Sequence, residues 1–103
     1  MYQLSFYVPK THLEKVKNAV FSAGGGKIGN YDLCCFEYEG QGQFRALEGS
    51  DPFVGKKNRT EIVKEVKVEL AIEDHLIKKV VEAMKEAHPY ETPAYFVLQA
   101  IDI

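Results

Sequence analysis

The chain has 103 residues, 46% of them hydrophobic and 27% charged, with a formal net charge of -2. That length predicts one domain over residues 1–103 with a modest core, about two thirds of the unfolded surface being buried at this size. The slight negative charge gives no field for holding a polyanion, which sets aside nucleic acid. No apolar run is long enough to span a membrane, and Met1-Tyr2-Gln3-Leu4 lacks the basic start and apolar stretch of a secretion signal, so a cytoplasmic location is expected.

Tyr2, Leu4, Phe6 and Val8 alternate with Gln3, Ser5 and Tyr7, the period of a strand with one face on a core. Pro9 ends it. Thr11 and Glu14 have the spacing of a capping box ahead of Leu13, Val16, Val20 and Ala23, so a first helix is expected as far as Gly24. The three glycines 24–26 cost chain entropy and imply positive φ angles or close backbone approach. A second strand is read over residues 33–39, with Leu33 and Cys35 on one face and Cys34, Phe36 and Tyr38 on the other. The adjacent cysteines read as reduced thiols that pack as small hydrophobes, a redox or metal role being the alternative.

Over residues 40–59 the pattern breaks into glycines, Pro52 and scattered charges. An excursion of about twenty residues inside a small domain either carries a hairpin of its own near residues 43–47 or serves binding. Val66, Val68, Leu70 and Ile72 resume alternation as a third strand, and Asp74 is expected to cap a second helix that turns Leu76, Ile77, Val80, Val81 and Met84 inward. Pro89 marks its end. Residues 94–101 make the last strand, with Tyr95, Val97 and Ile101 on one side and Phe96, Leu98 and Ala100 on the other. With right-handed crossovers this order gives an α+β, ferredoxin-like βαββαβ two-layer sandwich with an extended, glycine-rich β2-β3 excursion. One sheet face is left bare and apolar, and self-association is the simplest way to cover it.

His88, Tyr90 and Glu91 put an imidazole, a phenol and a carboxylate together at a helix end, a set capable of proton transfer or hydrogen bonding. In the structural reading Pro89 stops the helix and the histidine complements its dipole. In the functional reading this corner walls a pocket between subunits. The other wall would be Gly25, Gly26, Lys27, Gly29, Asn30 and Tyr31, whose backbone N–H groups could hold an anion, with Lys27 and Arg45 adding charge. These glycines follow a helix instead of opening one, so a plain glycine turn is the competing reading and neither P-loop nor dinucleotide fingerprint is present. His12, His75 and His88 have no paired spacing, so no metal and no cofactor are expected, and Lys56, Lys57 and Arg59 read as a solvated loop.

Residues 28–32 (Ile-Gly-Asn-Tyr-Asp), 40–45 (Gly-Gln-Gly-Gln-Phe-Arg) and 49–55 (Gly-Ser-Asp-Pro-Phe-Val-Gly) together resemble the YqfO-type insert domain of the Nif-three-like family. Residues 88–95 (His-Pro-Tyr-Glu-Thr-Pro-Ala-Tyr) are similar to that domain and to the matching corner of the CutA proteins. The likeness runs over nearly the whole chain and implies a CutA- and PII-like fold that assembles as trimers around its sheets. In full-length members the paired metal centre belongs to halves that flank the insert, outside these residues, so the resemblance brings no metal ligand. Cys35 stands where serine is common, Ala46 where proline is, and Asp51 where asparagine is, departures that bear on ligand specificity. The implied role is a stand-alone, non-catalytic homo-oligomeric module that binds a small anionic ligand between subunits or a partner protein through the central loop. The alternatives are an enzyme using His88, Tyr90 or Glu91, a metal-dependent hydrolase, and a purely structural assembly element.

Overall fold

A computed structural model describes residues 1–103. Its elements are β1 (Tyr2–Pro9), α1 (Leu13–Ser22), β2 (Phe36–Arg45), β3 (Thr60–Ile72), α2 (Ile77–Ala87) and β4 (Tyr95–Gln99), with 3-10 turns at Lys10–His12 and Asp74–Leu76. The strands form one sheet in the order β2-β3-β1-β4, every neighbouring pair antiparallel. This is the α+β, ferredoxin-like arrangement expected from the order of elements. Leu4, Phe6 and Val8 from β1 and Val66, Val68, Leu70 and Ile72 from β3 meet Leu13, Val16 and Val20 of α1 and Val80 and Met84 of α2 in the core. Each such side chain, once covered, stabilises the fold by roughly 1.5–3 kcal/mol.

The central excursion differs from expectation. β2 begins at Phe36 and runs on to Arg45, and β3 begins at Thr60, paired without a break from Phe36↔Glu69 to Arg45↔Thr60. The two strands form a hairpin arm of the main sheet, and only residues 46–59 connect them. The arm draws the molecule out to 46 Å against 25 and 24 Å, with a radius of gyration of 14.5 Å, where a compact domain of this length has about 13 Å. Alternation failed to announce the arm because nothing buries its helix-side residues Glu39, Gln41 and Gln43, all exposed.

Both expected caps are replaced. The Thr11 hydroxyl pairs with Nδ1 of His12 at 2.9 Å, neither helix has a side-chain cap, and the 3-10 turn bonds the Leu13 N–H to the Lys10 carbonyl. The Asp74 carboxylate pairs with the N-terminal ammonium of Met1. α1 closes as the glycines anticipated. Gly24 at φ 108° donates to Phe21 O and Gly25 to Val20 O, each at 3.0 Å, the two bonds of a Schellman motif. Residues 33–35 precede β2 and Leu33 sits at φ 54°, so strand alternation does not govern the cysteines. Both thiols are free and half-buried, and burial pushes that of Cys35 up.

The sheet face away from the helices carries Phe36, Tyr38, Phe44, Glu65, Lys67, Glu69, Tyr7, Phe96 and Leu98 by the strand registers. Phe36, Phe96 and Leu98 are more than half exposed. Lys67 lies among them, 5.7 Å from the Tyr7 ring centre and 5.8 Å from that of Tyr38, and bonded to Glu69 at 3.1 Å. Tyr38 and Glu69 hold its ammonium well above the ordinary lysine range.

Candidate functional site

Where α2 ends, His88 takes an extended backbone, as the residue before proline is driven to do. Its ring turns inward, leaving the residue 6% exposed. Nε2 lies 2.7 Å from the Tyr7 carbonyl and Nδ1 lies 3.1 Å from the Tyr90 N–H. A carbonyl only accepts and a backbone N–H only donates, so Nε2 carries the proton and Nδ1 is bare. Burial lowers the His88 pKa, in keeping with that neutral tautomer. A neutral ring cannot complement the helix dipole as a cation. The expectation of a dipole-paired histidine therefore gives way to one that ties the corner to β1.

The same tie aims Tyr90 and Glu91 at the base of the hairpin arm. The Glu91 carboxylate accepts the Asp51 N–H at 2.9 Å, clamping the connecting loop to the corner. The Tyr90 ring lies 4.9 Å from that of His88, 6.3 Å from Phe44 and 6.2 Å from Phe53, and Phe53 stacks edge-on against His12 at 5.5 Å. Between arm, loop and corner is a cleft of about 630 Å³ whose walls include Tyr7, Phe44, Phe53, Tyr90 and Phe96, with Arg45, Glu65 and Glu91 as its charged groups.

Glu65 is half-buried there, and burial raises its pKa. Its carboxylate lies over Gly42, in the space a Cβ there would take. The Tyr90 hydroxyl is buried and has no hydrogen-bond partner. It is close enough to Glu65 for burial and the carboxylate charge to push its pKa up to about 12, but no well-formed bond joins the two.

The glycine turn is elsewhere. Gly26 donates to Ala71 O at 2.9 Å, and Ile28 and Tyr31 bond each other's backbone at 2.9 and 3.0 Å. Ala71 pairs with Gln3, whereas the His88 ring bonds Tyr7. Those positions are four steps apart along β1, about 13 Å. In a single chain Arg45, Tyr90 and Glu91 share the cleft, His88 stands behind it, and Gly25, Gly26, Lys27, Gly29, Asn30 and Tyr31 lie toward the opposite sheet end. The amides of Gly25, Gly26 and Tyr31 are spent inside the chain, while those of Lys27, Gly29 and Asn30 have no partner. Nowhere do three His, Cys, Asp or Glu side chains converge as metal ligands.

Sequence reasoning missed Glu65, Gly42, Tyr7 and Phe96 as parts of one site. Each looked like strand filling or loop, and only the β2-β3 and β1-β4 registers bring them together. Alternation gave no signal for this site, since the even positions of the core pattern pass back through Lys64, and Glu65 lies on the opposite face.

No protein-family model matches the chain. Among curated proteins, the GTP cyclohydrolase 1 type 2 homolog of Halalkalibacterium halodurans is 45% identical over 95 residues, 92% of this chain and 26% of that protein. A Bacillus cereus protein related to NIF3 superposes with a TM-score of 0.81 at 42% identity, over 94% of this chain and 24% of that one. The PII-like protein CutA from Nostoc superposes with a TM-score of 0.70 over 97% of this chain and 81% of that one, and at 18% identity the likeness shows the fold alone. The chain spans about a quarter of the length of the curated relatives it matches.

Proposed function

We propose, for a chain that matches a segment of the Nif-three-like proteins and shares the CutA and PII-like fold, a binding and assembly module with no reaction of its own. The observation that carries this reading is the uncovered sheet face, where Phe36, Phe96 and Leu98 stand 66%, 58% and 59% exposed on one surface. They stand on the two edge strands, with Ser5 and Glu69 in register between Phe36 and Phe96, and large apolar groups left in water on an uncovered sheet face are what an interface would bury. Copies of the chain associate through it, as trimers, and the assembled form brings the glycine turn of one subunit toward the corner of the next. Lys27 with the open amides of Gly29 and Asn30 then supplies one side of an anion site, and Arg45 the other. His88 supports the non-catalytic reading, since both its ring nitrogens are engaged in holding the corner.

Native mass spectrometry and sedimentation equilibrium test the assembly. Wild type is expected as a trimer and Leu98→Arg, which puts a charge on the open face, as a folded monomer. A monomeric wild type, or a trimer indifferent to Leu98→Arg, removes the basis of this reading.

A further inference from the structure

The cleft at the base of the hairpin arm is built for a charge opposite to the one proposed between subunits. Its floor and walls are aromatic, from Tyr7, Phe44, Phe53, Tyr90 and Phe96. Glu65 and Glu91 face it against the single guanidinium of Arg45, and no ion pair joins Arg45 to either carboxylate. Glu91 is occupied by the Asp51 N–H. Glu65 has no cation partner within the chain and only the Tyr90 hydroxyl beside it as a donor, although it is half-buried, where a carboxylate without a cation is costly. That hydroxyl is buried and makes no well-formed bond. Glycine at position 42 leaves room for the Glu65 carboxylate, which a side chain there would push aside.

We propose that this cleft binds a small organic cation, an ammonium or guanidinium group on an apolar or aromatic body. Its N–H groups donate to the Glu65 carboxylate, and its body lies against Phe44, Phe53 and Phe96. Two features of the site select this class. Aromatic faces attract a cation electrostatically and accept its apolar body. A half-buried carboxylate without an internal cation gains a charge-assisted bond from a cationic donor and repels an anion. A neutral body of the same shape would fill the walls and leave the Glu65 carboxylate without a cation. The site lies within one chain but shares Arg45 and the corner with the site proposed between subunits, so it is read most directly on the unassembled chain.

Isothermal titration calorimetry with phenethylamine, phenethyl alcohol and 3-phenylpropionate, at neutral pH and low salt, tests this directly. The amine is expected to bind about tenfold or more tightly than the alcohol, and the carboxylate not at all. Glu65→Gln is expected to abolish the preference for amine over alcohol while its circular dichroism and melting stay those of a folded protein. The titrations are run on wild type and on Leu98→Arg, whose substitution lies outside the cleft, so that a neighbouring copy covering the site cannot hide it. Equal affinity for amine and alcohol, tighter binding of the carboxylate, an unchanged preference in Glu65→Gln, or no amine binding in either form would overturn the proposal.

Discussion

Replacing His88 with alanine gives the sharpest test of the idea that this residue holds the corner together. The substitution removes an Nε2–H bond of 2.7 Å to the Tyr7 carbonyl and an Nδ1 acceptor 3.1 Å from the Tyr90 N–H, and it empties a site only 6% exposed. Each lost bond is worth about 0.5–1.5 kcal/mol net, and an orphaned buried partner adds to the cost, so the expected loss is roughly 2–4 kcal/mol. For a domain of this size 1 kcal/mol moves the melting temperature by about 4–8 °C, which puts the fall at about 8–30 °C. Urea denaturation followed by far-ultraviolet circular dichroism reads it.

The pH dependence provides a second axis. Because burial lowers the folded pKa of His88, the unfolded chain takes up a proton first as pH falls below the ordinary value of about 6.5. Wild-type stability is therefore full above that value and declines as pH drops through the window down to the folded pKa. His88→Ala lacks that component of the decline. A loss under about 0.5 kcal/mol at pH 8, within the range of an ordinary surface change, would refute the argument that the ring is a structural tie. So would a wild type and a variant with the same pH profile around 6.

Other perturbations check separate parts of the structure. Glu65 has its pKa raised by burial, so as pH rises past the ordinary glutamate range the unfolded chain ionises first and folded stability falls. Glu65→Gln should remove that fall, making the variant's advantage in denaturant midpoint larger at pH 7 than at pH 4, and an advantage independent of pH would count against it. Gly25→Ala places a Cβ 2.9 Å from Ile72 Cδ1 and 3.1 Å from Val20 Cγ1, an overpacking expected to cost about 1–3 kcal/mol. Gly29→Ala meets nothing within 4 Å but must hold φ 57°, at a cost of about 1 kcal/mol. Thermal melts of the pair should rank Gly25→Ala as the more harmful, and the reverse order would mean the glycine turn is not packed as described. Inserting alanine at Gly42 should weaken stability through the collision with Glu65, and the double variant with Glu65→Ala should recover most of the loss in denaturant titration.

Much of this fold was written in short-range pattern. Alternation placed β1 and the core half of β3, the spacing of Val80 and Met84 placed α2, and the glycines after α1 closed it with the backbone bonds expected of them. The caps at Thr11 and Asp74 were misread because a 3-10 turn already supplies the first backbone bond of α1, and the N-terminal ammonium of Met1 takes the Asp74 carboxylate. The arm escaped notice for a different reason. Hydrophobic alternation reports burial on one face, and beyond the helices β2 has no such face.

The sequence by itself determined the element order, the layer of apolar residues that becomes the core, and the uncovered side of the sheet, because each depends on residues near one another along the chain. It also supplied the residues of the His88 corner and the likeness that joins this chain to the Nif-three-like proteins. Only the tertiary structure decided which of those residues meet. Antiparallel registers set Glu65 over Gly42, bring Phe96 alongside Ser5, and turn His88 onto the carbonyl of a residue 81 positions away. Such contacts are fixed by sheet pairing across long sequence separations, and no local pattern encodes them.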